Sequence, residues 1–329
     1  MRAIVLKDAG AAFDPGFADP SPPAGEVLIA PTRLCAGAAD VALVQDAADG
    51  RDAFTGVMGH AFVGVVEAVG KGVDKANLGR RVVGEINCVC GACDLCRAGL
   101  KEHCRRRTVL GRVGRDGCFA ERFALPAINL HTVPENVDDD GAVFAGLVAS
   151  AYQILRQLTI QGRPYLTVLG DGPLGLVCAQ VLSRLNATVR CIGHHEAKLA
   201  LCEKWGVKHR PLADVGLRQD QDIVVDCTGK AAGLATAMAM VRPRGTVVLK
   251  SLPLRPTAAD VSIDLSPIVR DEVSVVGSRC GPMGAALEAL SAGDVDVVSL
   301  ISRRMKLADG AGVLEAAAKP GALAVLMEV

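Results

Sequence analysis

The sequence has few aromatic side chains, no net charge and no long apolar stretch, and each shortage excludes a class of protein. Its 329 residues include one tryptophan, two tyrosines and seven phenylalanines, too few for a protein that stacks nucleic acid bases on aromatic rings. Basic and acidic side chains number 36 each, so we expect no basic surface for nucleic acid or an acidic membrane. No apolar stretch reaches the roughly 18 residues that a membrane helix needs. We therefore expect a small-molecule substrate, with neither nucleic acid nor a membrane as partner.

Cysteine, in contrast, is plentiful, with twelve residues in the chain. The residues from Met1 to Lys7 lead directly into a strand-like run, without the pattern of a secretory signal. We therefore expect a cytoplasmic protein whose cysteines are reduced thiols or metal ligands. The length and the apolar fraction of 50% indicate two domains, each large enough to bury a core.

Two hydrophobic patterns divide the chain. Up to about residue 135, short β-branched runs between glycine and proline predict an irregular, mostly β domain: Ala3–Leu6, Val27–Ala30, Val63–Val69, Arg81–Ile86 and Phe119–Ala124. Beyond a helix over Ala142–Leu158, strands and helices alternate, which predicts a parallel sheet covered on both faces. The strands are Leu166–Leu169, Val189–Ile192, Ile223–Asp226, Thr246–Leu249 and Val273–Val276, and the helices are Leu174–Leu185, Glu196–Trp205 and Ala232–Val241. The tail, helical over Ala285–Ala292 and strand-like over Leu323–Val329, is expected to return to the first domain.

A glycine-rich turn between the first strand and helix of this alternating region predicts dinucleotide binding. Its sequence is Gly170-Asp171-Gly172-Pro173-Leu174-Gly175, a G-x-G-x-x-G motif. The first glycine permits a tight turn, the second lets the backbone approach a pyrophosphate, and the third lets helix and strand pack closely. The first helical turn, with Pro173 and Leu174, then presents unpaired N–H groups to the phosphates.

The end of the next strand favours NADP(H) over NAD(H). A carboxylate is expected there if the ribose hydroxyls of NAD are bound, but the strand ends in Gly193-His194-His195, and the first acid is Glu196. His194, His195 or Lys198 could contact a 2′-phosphate. The alternative is that these histidines are simply exposed at the start of a helix.

Four cysteines, Cys90, Cys93, Cys96 and Cys104, have the spacing C-x2-C-x2-C-x7-C. Four thiolates can close a tetrahedron around Zn²⁺ and leave no open position, so we predict one structural zinc per chain. A ferredoxin-type cluster has a similar spacing, but no proline follows Cys104. Cys88 lies next to this lobe, and the other cysteines are interpreted as isolated small apolar residues.

Together with the zinc lobe and the glycine-rich turn, three further segments carry a family resemblance: Gly59–Gly70 (GHAFVGVVEAVG), Asp226–Gly229 (DCTG) and Val276–Arg279 (VGSR). The whole chain resembles the zinc-containing alcohol dehydrogenases of the medium-chain dehydrogenase/reductase superfamily. The resemblance implies an α/β protein with a β-rich, GroES-like catalytic domain and a Rossmann domain built on a doubly wound parallel sheet. The implied domains are 1–141 with 284–329, including a zinc lobe at about 88–104, and 142–283. It also implies a homodimer or homotetramer assembled through the nucleotide domain, with the nicotinamide oriented by Cys227, Thr228 and Ser278.

Members of that family hold a second, catalytic zinc, and the matching ligand positions differ here. The cysteine of the family's C-G-[ST]-D motif corresponds to Gly37 in Gly37-Ala38-Ala39-Asp40, and the acidic ligand corresponds to Gly146. His60 is retained, although Ala61 replaces the glutamate beside it. One histidine does not hold zinc tightly without further ligands, so we predict that the catalytic zinc is absent. The alternative is a shifted alignment in which Cys35 is a ligand.

Without a Lewis acid, an alkoxide that develops at a carbonyl loses several kcal/mol of stabilisation. Hydride transfer to a conjugated alkene or an iminium carbon remains feasible, because the charge is delocalised or already present. The candidate proton donors are His60, Asp40 and Tyr152, with His60 favoured because imidazole titrates near neutral pH. A retained histidine with only a packing role is the alternative for His60.

Three functions follow from these observations. The first is an NADP(H)-dependent oxidoreductase without catalytic zinc, acting on a conjugated alkene, iminium or carbonyl of a small molecule. The second is a conventional zinc alcohol dehydrogenase that uses Cys35 and His60. The third is a non-redox biosynthetic enzyme or binding protein on the same fold.

Overall fold

The computed structural model describes residues 1–7, 10–50, 54–251 and 263–329. Its strands, in chain order, are β1 (Ala3–Lys7), β2 (Gly10–Asp14), β3 (Glu26–Ala36), β4 (Gly56–Val57), β5 (Phe62–Val69), β6 (Arg81–Gly84), β7 (Asn87–Cys88), β8 (Thr108–Val109), β9 (Phe123–Pro126), β10 (Leu130–Thr132), β11 (Tyr165–Leu169), β12 (Thr188–Gly193), β13 (Lys208–Pro211), β14 (Gln221–Asp226), β15 (Val241–Leu249), β16 (Ser274–Gly277), β17 (Ile301–Lys306) and β18 (Ala324–Glu328). Its α-helices are α1 (Ala38–Ala48), α2 (Asp94–Arg97), α3 (Asp139–Ala142), α4 (Ala145–Gln157), α5 (Pro173–Ser183), α6 (Glu196–Leu199), α7 (Leu201–Lys204), α8 (Ala231–Met240), α9 (Ser266–Arg270), α10 (Met283–Ser291) and α11 (Gly312–Ala318). None of the helices in these ranges has the length and apolar character needed to cross a bilayer.

The first compact unit comprises Met1–Gly146 and Leu300–Val329. Its main sheet has the order β10-β6-β5-β3-β18-β17, with β9 also paired to β3, and a smaller sheet has the order β2-β1-β4. Most residues of the long strand β3 are buried, and the strand pairs with β5, β9 and β18. Because β3 ends at Ala36 and α1 begins at Ala38, Gly37 and Asp40 lie just beyond the carboxyl end of this central strand.

The second unit is Leu147–Ser299, and its core is a six-stranded sheet in the order β13-β12-β11-β14-β15-β16. All its strand pairs are parallel, and β11 is buried at every position except the first. This is the doubly wound order in which a ligand binds outside the carboxyl ends of the strands, where the order reverses. The reversal lies between β11 and β14. The glycine-rich turn follows β11 directly, so the topology places it at that point.

The structure differs from the sequence predictions in several places, in addition to the unpredicted helix α1. Phe119 lies in a bend and Ala120 in an isolated β-bridge with Ala3, both with buried side chains, and the predicted strand begins only at Phe123. The helix predicted over Glu196–Trp205 is two short helices separated at Ala200. Residues 284–299, which we assigned to the first domain, belong to the second unit. Hydrogen bonds of 2.7 and 3.0 Å join the backbone of Asp296 in this segment to the Gln180 side chain of α5.

Candidate functional site

The four cysteines of the predicted zinc lobe come together in the first unit. Their ligand atoms all lie within 4.8 Å of one another, with Sγ–Sγ distances of 3.5 Å (Cys93–Cys96), 3.8 Å (Cys93–Cys104) and 3.5 Å (Cys90–Cys104). A tetrahedron with Zn–S bonds of about 2.3 Å has edges of about 3.8 Å. The donor set therefore fits a zinc ion with four sulfur ligands and no open position.

The surroundings of Cys90 favour its thiolate. Backbone N–H groups of Ala92 and Cys93 lower the pKa of Cys90 to about 6, and a guanidinium N–H of Arg106 donates to Cys90 Sγ over 3.4 Å. Cys88, two residues away, belongs to β7, and its sulfur lies 4.0 Å from the Ile86 carbonyl oxygen. Among the described residues, the four-cysteine cluster is the only group of three or more histidine, cysteine, aspartate or glutamate side chains close enough to share a metal.

A second constellation lies where β3 passes into α1. Gly37 precedes α1, and its N–H donates to Asp40 Oδ2 over 2.9 Å. The other carboxylate oxygen, Oδ1, lies 3.3 Å from His60 Nδ1. Asp40 is buried, whereas His60 is partly exposed. Burial lowers the pKa of His60, but the charge and hydrogen bond of Asp40 outweigh it and raise this pKa above its usual value.

Neither of the two glycines at the family's ligand positions is demanded by the fold. Gly37 has an extended backbone, with φ of −153°, which any residue adopts. A Cβ atom added at Gly37 or at Gly146 would meet nothing within 4 Å. Packing and backbone conformation would therefore accept a side chain at both positions.

Cys35, the alternative ligand, is the penultimate residue of β3, two positions before Gly37. Its side chain is buried, and its sulfur lies 4.0 Å from the Ala36 carbonyl oxygen. Burial, with a smaller effect of the Asp40 charge, raises the pKa of the Cys35 thiol well above its usual range. Cys118 is also buried, and burial, with a smaller effect of the Asp40 charge, raises the pKa of its thiol.

Tyr152, the third candidate proton donor, lies in α4 of the second unit. Burial raises its pKa, and the charged groups that act on it are Asp294, Arg184 and Glu288. Arg184 caps the carboxyl end of α5 and pairs with Asp294 over 2.6 Å. The charged groups that act on Tyr152 thus lie near the carboxyl end of α5, opposite the helix end that carries the glycine-rich turn, and its role as a proton donor stays a prediction.

The glycine-rich turn has the local geometry that its motif requires. Gly170 has φ of +114°, a conformation that favours glycine. A Cβ at Gly175 would lie 1.9 Å from the Gly170 carbonyl oxygen, whereas one at Gly172 would point into open space. Gly172 is the N-cap of α5, and Pro173 occupies the first turn. An unobstructed backbone at Gly172 in front of a helix N-terminus is a suitable cradle for a pyrophosphate.

The end of β12 is covered by a side chain from this turn. Asp171 Oδ2 accepts the backbone N–H groups of His194 and His195 over 2.7 and 2.6 Å. The His195 ring nitrogen Nδ1 lies 3.1 Å from the same oxygen. A Cβ at Gly193 would lie 2.4 Å from Asp171 Oδ2. The two histidine side chains are exposed, and Lys198 in α6 is partly exposed.

The predicted nicotinamide-orienting residues lie at the ends of the neighbouring strands, and their polar groups are partly engaged. The Thr228 hydroxyl donates to Asp226 Oδ1 over 2.6 Å. The Cys227 carbonyl oxygen accepts from the Ser251 hydroxyl over 3.2 Å. Ser278 is buried, and its hydroxyl oxygen accepts from Lys250 Nζ over 3.0 Å.

Sequence reasoning missed two residues here, Asp171 and Lys250. Asp171 occupies a variable position of the glycine motif, and only its place directly between two motif glycines could have drawn attention to it. Lys250 is buried and also donates to the carbonyl oxygens of Ser150 and Arg279 over 2.7 and 2.9 Å. Burial lowers its pKa. A lysine that directly follows the apolar run of β15 was the available signal.

Comparison with known proteins identifies the family. A model described as the alcohol dehydrogenase GroES-like domain matches residues 23–135, and a model of zinc-binding dehydrogenases matches residues 173–292. An L-threonine 3-dehydrogenase of Salmonella arizonae is 29% identical over 267 residues, which cover 77% of this chain and 76% of that protein.

Solved structures agree along the whole chain. A protein of Sinorhizobium meliloti 1021, described as a zinc-binding dehydrogenase and bound to NADP, is 25% identical with a TM-score of 0.88, covering 100% of this chain and 99% of its own. An alcohol dehydrogenase of Escherichia coli CFT073 in complex with NADH is 25% identical with a TM-score of 0.87 and the same coverage. The predicted fold class is confirmed, and the chain belongs to the zinc-containing alcohol dehydrogenase family of the medium-chain dehydrogenase/reductase superfamily of oxidoreductases.

Proposed function

We propose that this chain is a nicotinamide-dependent oxidoreductase that holds one structural zinc and transfers hydride without a catalytic zinc. The observation that carries the proposal is the environment of His60. Its Nδ1 faces the Asp40 carboxylate, whose other oxygen is bonded to the Gly37 backbone. The position that supplies a thiolate in the family thus contributes only an N–H group. Gly146, likewise, offers no side chain for a metal.

The residues of the second unit would hold the cofactor. Gly170, Gly172 and Gly175, with the first turn of α5, would bind the pyrophosphate through backbone N–H groups. When bound, the nicotinamide supplies or accepts the hydride. The sequence favours NADP(H), while relatives are found with NADP and with NADH. The choice between the two depends on the groups around Gly193.

Asp40 and His60 would deliver the proton that a conjugated alkene takes up with the hydride, or the proton that converts an imine to its iminium before hydride transfer. Asp40 accepts from Nδ1 of the ring, which leaves Nε2 as the nitrogen that can donate to the substrate. The raised pKa of His60 increases the fraction of protonated imidazole near neutral pH. A conjugated alkene or an iminium is the preferred substrate class, because its reduction develops less localised negative charge than that of a simple carbonyl.

The zinc of the four-cysteine lobe would have a structural role. Four sulfur ligands close the coordination sphere, so no position is left for a substrate oxygen. Cys90, Cys93, Cys96 and Cys104 would be the ligands, and Cys88 would not.

We also propose assembly through the second unit. In the described part of the chain, β16 forms one edge of the six-stranded sheet. Its residue Val275 is 38% exposed, and Val269 of the preceding α9 is 84% exposed. An edge strand with exposed apolar neighbours is suited to pairing with a second copy.

Metal analysis of the purified, full-length protein tests the proposal. We expect one zinc per chain, lost in Cys93→Ser and kept in Cys35→Ser. Two zinc ions per chain, or one that depends on Cys35, would support a conventional zinc alcohol dehydrogenase instead. The double variant Gly37→Cys with Gly146→Glu supplies the family's missing ligand types where a Cβ fits. It should bind a second zinc if this position is otherwise intact.

Activity separates the remaining alternatives. We expect NAD(P)H-dependent reduction of members of a panel of conjugated enals, enones and cyclic imines. His60→Ala should lower kcat by about a hundredfold without changing cofactor affinity. L-Threonine serves as the comparison substrate, because the relative from Salmonella arizonae is an L-threonine 3-dehydrogenase. Oxidation of L-threonine as fast as by that enzyme would contradict a zinc-free site. Failure to bind either nicotinamide cofactor would favour a non-redox enzyme or binding protein.

A further inference from the structure

The carboxylate of Asp171 lies at the place where the sequence lacks an acid. In the parallel pair of β11 and β12, Leu169 is in register with Ile192, so the turn after β11 is adjacent to the end of β12. Asp171 reaches across from this turn, and its side chain fills the space beside Gly193 that a Cβ would need. The carboxylate at the end of β12 is therefore supplied by the turn after β11, and the absence of a side chain at Gly193 makes room for it.

The bonds of Asp171 hold this charge in place. Both backbone N–H groups after β12, those of His194 and His195, donate to Oδ2 over 2.7 and 2.6 Å. Only 10% of the side chain is exposed. Burial raises the pKa of Asp171, but these N–H groups and the contact with the His195 ring outweigh it and keep the pKa below its usual value. The group is therefore an anion at neutral pH.

This arrangement engages two backbone N–H groups and one imidazole ring that could otherwise bind a 2′-phosphate. The two N–H groups that follow β12 already have an anionic partner, and the His195 ring lies 3.1 Å from the same carboxylate. A phosphate placed there would meet a fixed negative charge. A ribose with a free 2′-hydroxyl could instead donate a hydrogen bond to a carboxylate oxygen, since a carboxylate offers about four acceptor sites. Oδ1 makes fewer contacts than Oδ2, and it lies 3.2 Å from Nδ1 of the His195 ring.

We propose that Asp171 is the specificity-determining residue of the cofactor site and that it selects the unphosphorylated adenosine ribose of NAD(H) over that of NADP(H). This inference rests on the proposed binding of a dinucleotide at the glycine-rich turn. It reverses the preference drawn from the sequence, because the acid expected at the end of β12 comes from the turn after β11.

Titration calorimetry with two half-cofactors tests the proposal on the full-length, zinc-containing protein. The probes are ADP-ribose and 2′-phospho-ADP-ribose, which bind without any turnover. We expect ADP-ribose to bind at least about tenfold more tightly, because the 2′-phosphate would be repelled by the carboxylate of Asp171. Asp171→Asn should reduce that ratio by about tenfold. Glu196→Gln is the matched control, because it removes an exposed acid from the start of α6 and should leave the ratio unchanged.

Salt dependence of the wild-type protein gives a test that needs no variant. If a fixed carboxylate repels the 2′-phosphate, added salt screens the repulsion and raises the relative affinity of 2′-phospho-ADP-ribose. If His194, His195 and Lys198 attract the phosphate, salt lowers that relative affinity. Tighter binding of the 2′-phospho compound, or an unchanged ratio in folded Asp171→Asn, overturns the role of Asp171. Binding of neither probe overturns the proposed dinucleotide site itself.

Discussion

Gly172 and Gly175 belong to one motif but are required for different reasons. A Cβ at Gly175 would collide with the Gly170 carbonyl oxygen at 1.9 Å, whereas a Cβ at Gly172 would have nothing within 4 Å. The requirement for glycine at position 175 comes from packing in the folded protein. The requirement at position 172 arises only when a ligand approaches. Substitution by alanine therefore separates packing from binding.

Gly172→Ala is expected to leave stability nearly unchanged and to weaken dinucleotide binding by tenfold or more, by analogy with the role of this glycine in the motif. Gly175→Ala is expected to lower stability, because the backbone atom it meets cannot move independently of the turn. Thermal unfolding and calorimetric binding of ADP-ribose measure the two effects. Unimpaired binding in Gly172→Ala would contradict the placement of the pyrophosphate.

Lys250 shows how a buried charge can be structural within a nucleotide-binding unit. Its ammonium group donates to the Ser150 and Arg279 carbonyl oxygens and to the Ser278 hydroxyl. The three partners belong to α4 and to the segment after β16. Lys250, directly after β15, thus links these two parts of the unit.

Lys250→Met should lower the free energy of unfolding by about 1–3 kcal/mol, because buried acceptors lose their donor while the side-chain volume is largely kept. Urea unfolding measures this change. Lys230→Met is the control, since Lys230 is exposed at the start of α8, and it should change stability by less than about 0.5 kcal/mol. Equal effects of the two substitutions would show that the Lys250 contacts contribute little.

At the scale of elements, the zinc lobe has little apolar material of its own. Between Cys90 and Cys104, only Cys104 is buried, and the secondary structure is limited to α2 and a short 3-10 turn over Lys101–His103. Such a segment buries too little apolar surface to offset the entropy of ordering it. Metal coordination is therefore expected to supply its stability.

Removal of zinc with a chelator should make this lobe sensitive to trypsin while the parallel-sheet unit stays folded. The exposed basic residues Arg97, Lys101, Arg105 and Arg106 supply the cleavage sites. Cleavage there within minutes, followed by mass spectrometry, is the expected result. Cys104→Ser should behave like the chelated protein, and Cys88→Ala like the untreated one. Resistance of the chelated protein and of Cys104→Ser to trypsin would contradict a stabilising role of the metal.

The segment between α10 and β17 is held by one carboxylate. Asp296 accepts the indole N–H of Trp205 over 3.0 Å and the Ser299 hydroxyl over 2.6 Å. Burial raises the pKa of Asp296, but these hydrogen bonds outweigh it and lower the pKa below its usual value. Its stabilising effect is therefore complete above the carboxyl's unfolded pKa and is lost as the pH falls through the lowered folded value.

Asp296→Asn should lower the free energy of unfolding by about 1–3 kcal/mol at pH 7. The difference from wild type should persist to about pH 4 and shrink below it, because the wild-type carboxylate then becomes protonated. Trp205, the single tryptophan, reports unfolding by its fluorescence. Asp214→Asn, at an exposed position, is the control. A pH-independent difference would show that the charge of Asp296 is not what stabilises the segment.

At the scale of the whole molecule, assembly would depend on the edge of the parallel sheet. Val275→Lys places a charge in β16, which opposes pairing of edge strands. Sedimentation velocity should then show a lower mass than for the wild-type assembly. Val113→Lys is the control, because Val113 is exposed in the first unit. An unchanged mass in Val275→Lys would place any interface elsewhere.

The sequence predicted the regular parts of the chain well, because their signals are local. The strand that became β11 and the glycine turn after it follow from an apolar run and three glycines, as the close match of Leu166–Leu169 to Tyr165–Leu169 shows. Helix α1 was missed, since a run of alanine and valine beside glycines has no clear helical periodicity. The break at Ala200 was also missed for lack of a local helix-breaking residue.

What the sequence alone determined, then, was chemistry carried by spacing, namely the four cysteines within fifteen positions and the glycine motif. The glycines at the zinc-ligand positions came from the family resemblance. What only the tertiary structure decided was which distant side chains meet. Asp40 lies twenty positions before His60, and Asp171 lies more than twenty positions before the histidines whose N–H groups it binds. Such pairs depend on the register of neighbouring strands, and no local pattern encodes that register.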